Sequence, residues 1–291
     1  MQRFDYEHSS IIRPPRDPAY LAHDSKAWRD VRVVVDSRDR DLTSFPTPAR
    51  YDVEFEDPLE NILSVELLCA DVPFTSYLIN SYAQDLTLIE TQTGSSNARN
   101  LQLTAGDYGA SNLAAHVQTV LATNGTAGVT YEVSYDLVKD NFQFMVSGSN
   151  VTSTKPFTLD LSNRPQLAAV LGFLPKAYGS IWDAGSSKQS LRSDFRKNFN
   201  YNNYMVMHVD SLENNRSPNK VLNKSFAILS KDRINNELIE LESVCKEFNP
   251  PLSKLHKLRI TFRDMEGNPY DFQNHPHRLE FLFRCHQFTF C

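Results

Sequence analysis

The sequence predicts an antiparallel β-sandwich, and three observations carry that prediction. From Arg50 onward Tyr51, Val53 and Phe55 alternate with Asp52, Glu54 and Glu56, the period-two pattern of a strand with one wet face. The alternation resumes over Leu63, Val65, Leu67 and Cys69. It returns near the C-terminus in Leu258, Ile260 and Phe262 and then in Leu279, Phe281, Phe283 and Cys285. No catalytic motif lies between these half-buried strands, so the function is expected to reside in the surfaces of the sandwich.

Bulk properties narrow the possibilities. The 291 residues fit one large β domain or two small ones, and a hydrophobic content of 41% is enough for a real core. The formal net charge of −5 argues against a dedicated nucleic-acid binder, so no direct nucleic-acid contact is expected. Cys69, Cys245, Cys285 and Cys291 are few and widely spaced, which fits a reduced, intracellular folding compartment. Asp5, Glu7, Arg13, Arg16 and Asp17 stand where the apolar segment of a signal peptide would lie. No run approaches the about 18 apolar residues of a membrane span, so no transmembrane segment is expected.

Residues 1–30 are read as an extended N-terminal arm, with 31–291 as the folded domain. Arg13-Pro14-Pro15-Arg16-Asp17-Pro18 lacks periodicity and favours extended backbone. Phe4, Tyr6, Tyr20 and Trp28 are too many aromatics for a solvated tail. The arm is either a strap over its own domain or a tether to a neighbouring subunit. Phe4, Tyr6, Arg13, Arg16, Tyr20 and Trp28 are therefore candidate interface residues.

Val31 to Val35 suits a first strand. Asp36-Ser37-Arg38-Asp39-Arg40-Asp41 follows, where the arginines would repel a metal ion and neutralise the acids instead. Asp36, Arg38, Asp39 and Arg40 are accordingly expected to form an ion-pair loop, solvated or between subunits. Asp57-Pro58 is expected to stop the strand begun at Tyr51.

The middle of the chain changes character, and an α+β insertion is placed at about residues 84–200. Leu86 to Glu90 and Leu101 to Leu103 read as one hairpin, and Val129 to Tyr135 with Phe142 to Val146 as a second, across Leu137-Val138-Lys139-Asp140-Asn141. Between them Ser111 suits a helix N-cap, with Leu113, Val117, Val120 and Leu121 at helical spacing. Pro165 to Leu171 gives a short helix closed by Gly172, and residues 179–200 read as a loop. Strands resume at Tyr204 to Val209, Phe226 to Leu229, Asn236 to Leu241, Lys257 to Arg263 and Arg278 to Phe283.

Phosphate-binding glycine loops, nucleophile elbows and zinc-protease motifs are absent from the sequence. His275-Pro276-His277 with Cys285, His286 and Cys291 is the best metal-like cluster. Cys285 and His286 point to opposite faces of a strand, however, and no Cys-x-x-Cys supports them. Tyr178, Trp182 and Asp183 are the candidate ligand contacts of a carbohydrate- or receptor-binding module. No catalytic residue, metal or cofactor is assigned, and the chain is read as a non-enzyme.

Several segments in order resemble a known family. Asp36-Ser-Arg-Asp-Arg-Asp41 with Pro46 and Pro48 leads into Tyr51-Asp-Val-Glu-Phe55. Asn61-Ile-Leu-Ser-Val-Glu-Leu67, Val72-Pro-Phe-Thr-Ser-Tyr-Leu-Ile-Asn80, Gly106-Asp-Tyr108 with Leu113, and Leu171-Gly-Phe173 follow. Leu258-Arg-Ile-Thr-Phe-Arg-Asp264, Gly267, Tyr270-Asp-Phe272 and Leu279-Glu-Phe-Leu-Phe283 close the series. The order is similar to that of the single jelly-roll penton and minor capsid proteins of nucleocytoplasmic large DNA viruses, such as chloroviruses, over roughly residues 31–285.

The resemblance implies an eight-stranded single jelly roll with the α+β insertion at one end. It implies a structural capsid protein of the virion, assembled in the host cell interior, most simply the penton standing as a homopentamer at five-fold vertices. Its implied partners are the major capsid protein and other minor capsid proteins. Two alternatives remain beside it: a cement subunit beneath the shell, and the carbohydrate-binding module. A third, a cupin-like enzyme using His275 and His277, rests on the metal-like cluster alone.

Overall fold

Two very long strands organise the molecule, whose computed structural model describes residues 28–91, 96–231 and 244–286. The predicted strand at 236–241 and the arm residues Phe4, Tyr6, Arg13, Arg16 and Tyr20 lie outside those residues, as does Cys291. The chain opens with β1 (Trp28–Asp36) and β2 (Arg50–Asp71), passes through an inserted region, and returns as β11 (Tyr204–Val209), β12 (Ala227–Ser230), β13 (Val244–Arg263) and β14 (Arg278–His286).

β2 and β13, of 22 and 20 residues, pair antiparallel from Arg50↔Thr261 to Leu67↔Val244. The ladder slips twice, between Glu247 and Leu252 and again in the middle, where Leu59 faces Leu255 but Glu54 faces Lys257. Residues 55–58 therefore stand opposite His256 alone, and the surplus backbone bends the ribbon. Asp57-Pro58 lies in this bend. Contrary to expectation it interrupts pairing and leaves the strand running on, because a proline without an N–H is tolerated at a bulge.

Each half of the ribbon recruits its own neighbours. The second half of β2 pairs with β14, and β14 with β1; the second half of β13 pairs with β11, and β11 with β12. Two antiparallel four-stranded layers result, in the orders β1-β14-β2-β13 and β2-β13-β11-β12, sharing the bent ribbon. Eight strand segments in this order make a single jelly roll.

The layers face each other. Phe226, at the entry of β12, and Phe281 of β14 belong to strands four places apart in the hydrogen-bonded order, about 19 Å across a flat sheet. Their ring centroids are nevertheless 6.0 Å apart. Phe55 meets Phe283 edge-on in the same way. The core between the layers includes Val35, Tyr51, Val65, Leu258, Ile260, Phe262, Phe281 and Phe283.

The register of β2 departs from simple alternation. Glu280 faces Cys69 while Phe281 faces Leu67, and Arg284 faces Ser64 while Cys285 faces Ile62. Leu68 and Leu63 are thus extra residues, and the buried set becomes Ile62, Val65, Leu67 and Ala70. Leu63 and Cys69, expected inside, are half-buried.

The inserted region has a core of its own. It comprises β3 (Asp85–Glu90), β4 (Asn97–Gln102), α1 (Ala110–Asn124), β5 (Thr130–Asp136), β6 (Asn141–Ser147), β7 (Phe157–Asp160), α2 (Pro165–Val170), β8 (Ala177–Gly179), β9 (Ile181–Asp183) and β10 (Lys188–Arg192). These strands form two sheets, β4-β3-β7-β8 and β5-β6-β10-β9. The N-cap of α1 is Gly109 and not Ser111. The segment read as a loop at 179–200 contains β9 and β10, where Lys-Gln-Ser-Leu-Arg buries only Gln189 and Leu191. Gln189 is tolerated inside because its amide donates to Thr152 O at 2.8 Å and accepts from Ser180 Oγ at 2.9 Å. Gly172 closes α2 at φ +77°, where a Cβ would lie 2.3 Å from Phe195 O.

Two buried polar groups show how each core handles its exceptions. In the insertion, the Glu90 carboxylate accepts from the Tyr131 hydroxyl and from Thr126 Oγ1 at 2.9 Å, with Arg99 Nε at 3.8 Å. Arg99 also donates to Gly125 O at 2.8 Å and to Asn124 O, closing the C-terminus of α1. In the jelly roll, His277 Nε2 lies 2.8 Å from the Tyr51 hydroxyl, among the rings of Phe262 and Phe272. Burial, then repulsion from Arg40, holds its pKa down at about 4, with Asp36 opposing.

Phe281→Asp would bury an unpaired charge between the two layers and cost several kcal/mol, a large share of a typical domain's stability. The variant is expected to be insoluble or unfolded by circular dichroism; a stable, soluble product would contradict the inward register of β14. His277 gives a pH dependence of known sign. The unfolded histidine binds a proton below about 6.5 and the folded one only below about 4, so stability falls as pH drops through that window. The loss approaches about 3 kcal/mol. Urea denaturation of wild type and His277→Phe between pH 7 and pH 4 should show a shallower decline in the variant.

Candidate functional site

Function is expected on surfaces, and the first of these is the β1 edge with the loop after it. Trp28 pairs in register with His286, so β1 begins inside the segment expected to be arm. Its indole is partly exposed, and the Arg284 guanidinium sits 5.6 Å from the ring centroid while donating to Asp30 at 2.9 Å. Asp36 accepts from the Arg38 guanidinium at 3.0 Å and from the Arg38 backbone at 2.9 Å, and the guanidinium first, then the backbone, holds the carboxyl down at about 2. Arg38 and Asp39 are exposed.

Arg40 differs from its neighbours. It donates to Ser37 O at 2.7 Å, Phe45 O at 3.0 Å, Pro46 O at 3.2 Å and Asn274 Oδ1 at 3.1 Å. It clasps its own loop to the turn before β14, so its donors are committed within the chain. The cluster is a local brace with an exposed rim, because the two arginines alternate between partners inside the loop and solvent.

The second candidate surface, Tyr178 with Trp182 and Asp183, does not form a groove. Tyr178 is buried in β8, with its ring 4.6 Å from that of Phe173 and its hydroxyl accepting from Leu174 N at 2.9 Å. Trp182 lies in β9, in the other sheet, half-buried against the insertion core. Asp183 closes the β9–β10 turn, accepting from Gly185 N at 3.0 Å and Ser186 Oγ at 2.6 Å. The expectation set Tyr178 beside Trp182 and Asp183 of a loop over 179–200; strand pleating sends Tyr178 inward instead.

The metal-like cluster also comes apart. His275 is exposed, with Nδ1 3.1 Å from Phe272 O, while His277 is buried among aromatic rings and Cys285 faces the core. Among the described residues no group of three or more His, Cys, Asp or Glu side chains is arranged to hold a metal. No helix among them is long and apolar enough to cross a membrane.

One surface feature carries a sequence signal that strand periodicity alone does not pick out. Leu137 and Val138, at the tip of the β5–β6 hairpin, are 81% and 92% exposed. Asp136 Oδ1 accepts from Val138 N at 3.0 Å and Lys139 N at 3.1 Å, so the tip is held in one shape. Phe195, 52% exposed, lies in the bend after β10, in a segment tied to the same hairpin by Lys197 N donating to Asp140 O at 2.9 Å. Turn tips favour Gly, Asn, Asp and Ser; two aliphatics there are the legible anomaly.

Comparison with solved structures finds the selenomethionine-labelled mavirus penton protein, at 10% identity and a TM-score of 0.38, covering 90% of this chain and 100% of that one. No curated protein matches the chain. The profile of one family, described as a family of unknown function (DUF5901), matches residues 25–244, from just before β1 to the start of β13. This chain is therefore a member of the DUF5901 family.

Proposed function

We propose that this chain is a structural capsid protein of a large icosahedral DNA virus, and that it stands as a homopentamer at the five-fold vertices, among major and minor capsid neighbours. The observation that carries the reading is the jelly-roll strand order itself, with a rigid apolar tip projecting from its insertion. The ordered motifs from Asp36 to Phe283 support it from the sequence side.

The physical case runs from exposed surface to assembly. Among the described residues β1 and β12 end the two layers, and a sheet end carries backbone donors and acceptors that a neighbour can pair. Val34, 57% exposed on β1, adds apolar area at that edge. A five-fold ring needs a heterologous contact that closes, in which the surface offered by one copy differs from the surface that receives it. Such contacts of about 800 Å² per partner need not be tight singly, because a shell engages every subunit several times.

Purified particles should contain five copies of the chain per vertex; any other ratio removes the vertex reading. Leu137→Ser with Val138→Ser should shift stability by no more than about 0.5 kcal/mol, since both residues are solvated, while impairing pentamer formation in sedimentation velocity. Unimpaired assembly would exclude the tip from the contact. Removing residues 1–27 leaves β1 whole and should yield a folded protein that assembles poorly; loss of folding would identify the arm as an intramolecular strap.

A further inference from the structure

Opposite flanks of the sandwich carry complementary surfaces. On one flank the edge of β1 lies beside the first half of β2, and a groove of about 240 Å³ opens between them. At about 30 Å³ per water this is room for about eight waters, enough for the head of one long cationic side chain. Val34 and Val53 give the groove an apolar wall, and the carboxylates of Asp36, Asp39, Asp52 and Glu54 face the single guanidinium of Arg40.

Most of these charges are already committed. Asp36 holds Arg38, Asp52 holds Lys257 and Arg259, and Arg40 donates to backbone carbonyls. Asp39 and Glu54 are exposed and make no ion pair among the described residues. The groove therefore keeps two free acids beside exposed aliphatic surface.

The other flank carries the reverse. There the first half of β13 and, among the described residues, β12 end their layers. The loop of residues 210–226, which leads into β12, is fastened to that flank: Asn214 Nδ2 donates to Cys245 O at 3.4 Å, and Lys246 Nζ to Glu213 O. Its own polar groups set its turns. Asn215 Nδ2 donates to Ser225 Oγ at 2.8 Å, and Asn219 Oδ1 accepts from Val221 N at 2.9 Å. The asparagines are spent on shape, whereas Arg216, Lys220 and Lys224 stay exposed and make no ion pair among the described residues. Pro218, also exposed, puts an apolar ring between the first two cations. A loop shaped in advance loses little freedom on docking.

A head-to-tail ring sets one flank of each copy against the opposite flank of the next. We propose that the 210–226 loop of one copy seats on the β1–β2 groove of its neighbour, with Pro218 against Val34 and with Arg216 and Lys220 toward Asp39 and Glu54. This rests on the pentameric reading above and names the two unlike surfaces that such a ring requires. Charge pairs of this kind set orientation and partner choice, and salt screens them.

Sedimentation velocity of the full chain tests the contact. Wild-type self-association should weaken about tenfold or more as salt rises from about 50 mM to about 500 mM. Asp39→Lys with Glu54→Lys, and separately Arg216→Glu with Lys220→Glu, should each weaken it about tenfold or more at low salt, because like charges then meet. All four substitutions in one chain should restore it to within about threefold of wild type. All the changed residues are exposed, and circular dichroism checks that each variant is folded. Absence of recovery in the combined variant, or variants that associate as wild type does, would overturn the proposal. So would a loss confined to one of the two separate variants, which means that its surface meets another occupant; for the groove that occupant is residues 1–27, with Arg13 and Arg16. A wild type that stays monomeric at low salt overturns it too. The vertex reading is judged separately, on copies per particle, and survives each of these results.

Discussion

The bent ribbon of β2 and β13 is the constraint on which the remaining architecture depends. Its two halves supply the inner strands of both layers, so every other jelly-roll strand is placed by pairing, directly or through one neighbour, with one of them. The bend comes from a mismatch in residue count, four residues against one, and not from a glycine hinge. Once the ribbon bends, the apolar faces of its halves turn toward each other, and Phe226 meets Phe281 across the gap. The net hydrophobic gain then comes from closing the layers, because an open six-stranded sheet would leave that face in water.

Much of this was legible because half-buried strands advertise themselves. Tyr51, Val53 and Phe55, and likewise Leu279, Phe281 and Phe283, alternate with polar residues without interruption. What could not be read were the places where the count slips. Alternation continues formally through Leu63 and Cys69, yet bulges at Leu63 and Leu68 shift burial to Ile62 and Ala70. A bulge is a property of two strands together, and the partner of β2 lies some two hundred residues away. Short strands of the insertion failed for a different reason. β10 buries a glutamine and one leucine, so its polar content read as loop until the partners of Gln189 were visible.

The candidate surfaces divide along the same line. The ion-pair loop at 36–41 was recognised, but Arg40 turned inward onto three carbonyls that no local pattern reveals. Tyr178 and Trp182 are four residues apart and looked like one patch, although a change of sheet between them separates their surroundings. By contrast the exposed Leu137-Val138 pair was visible in the sequence, since a turn tip offers aliphatic side chains nothing to pack against.

The placement of the insertion between β2 and β11 shapes how the polypeptide reaches its final form. On a ribosome, the segment with its own core emerges whole and joins mostly nearby stretches, so it can settle early. The first strand of the barrel must meanwhile wait for the last, because Trp28 is matched to His286 at opposite ends of the described chain. Until β13 and β14 have been made, β2 has neither of its partner strands and its greasy side has no lid, an interval in which a growing chain is exposed to aggregation.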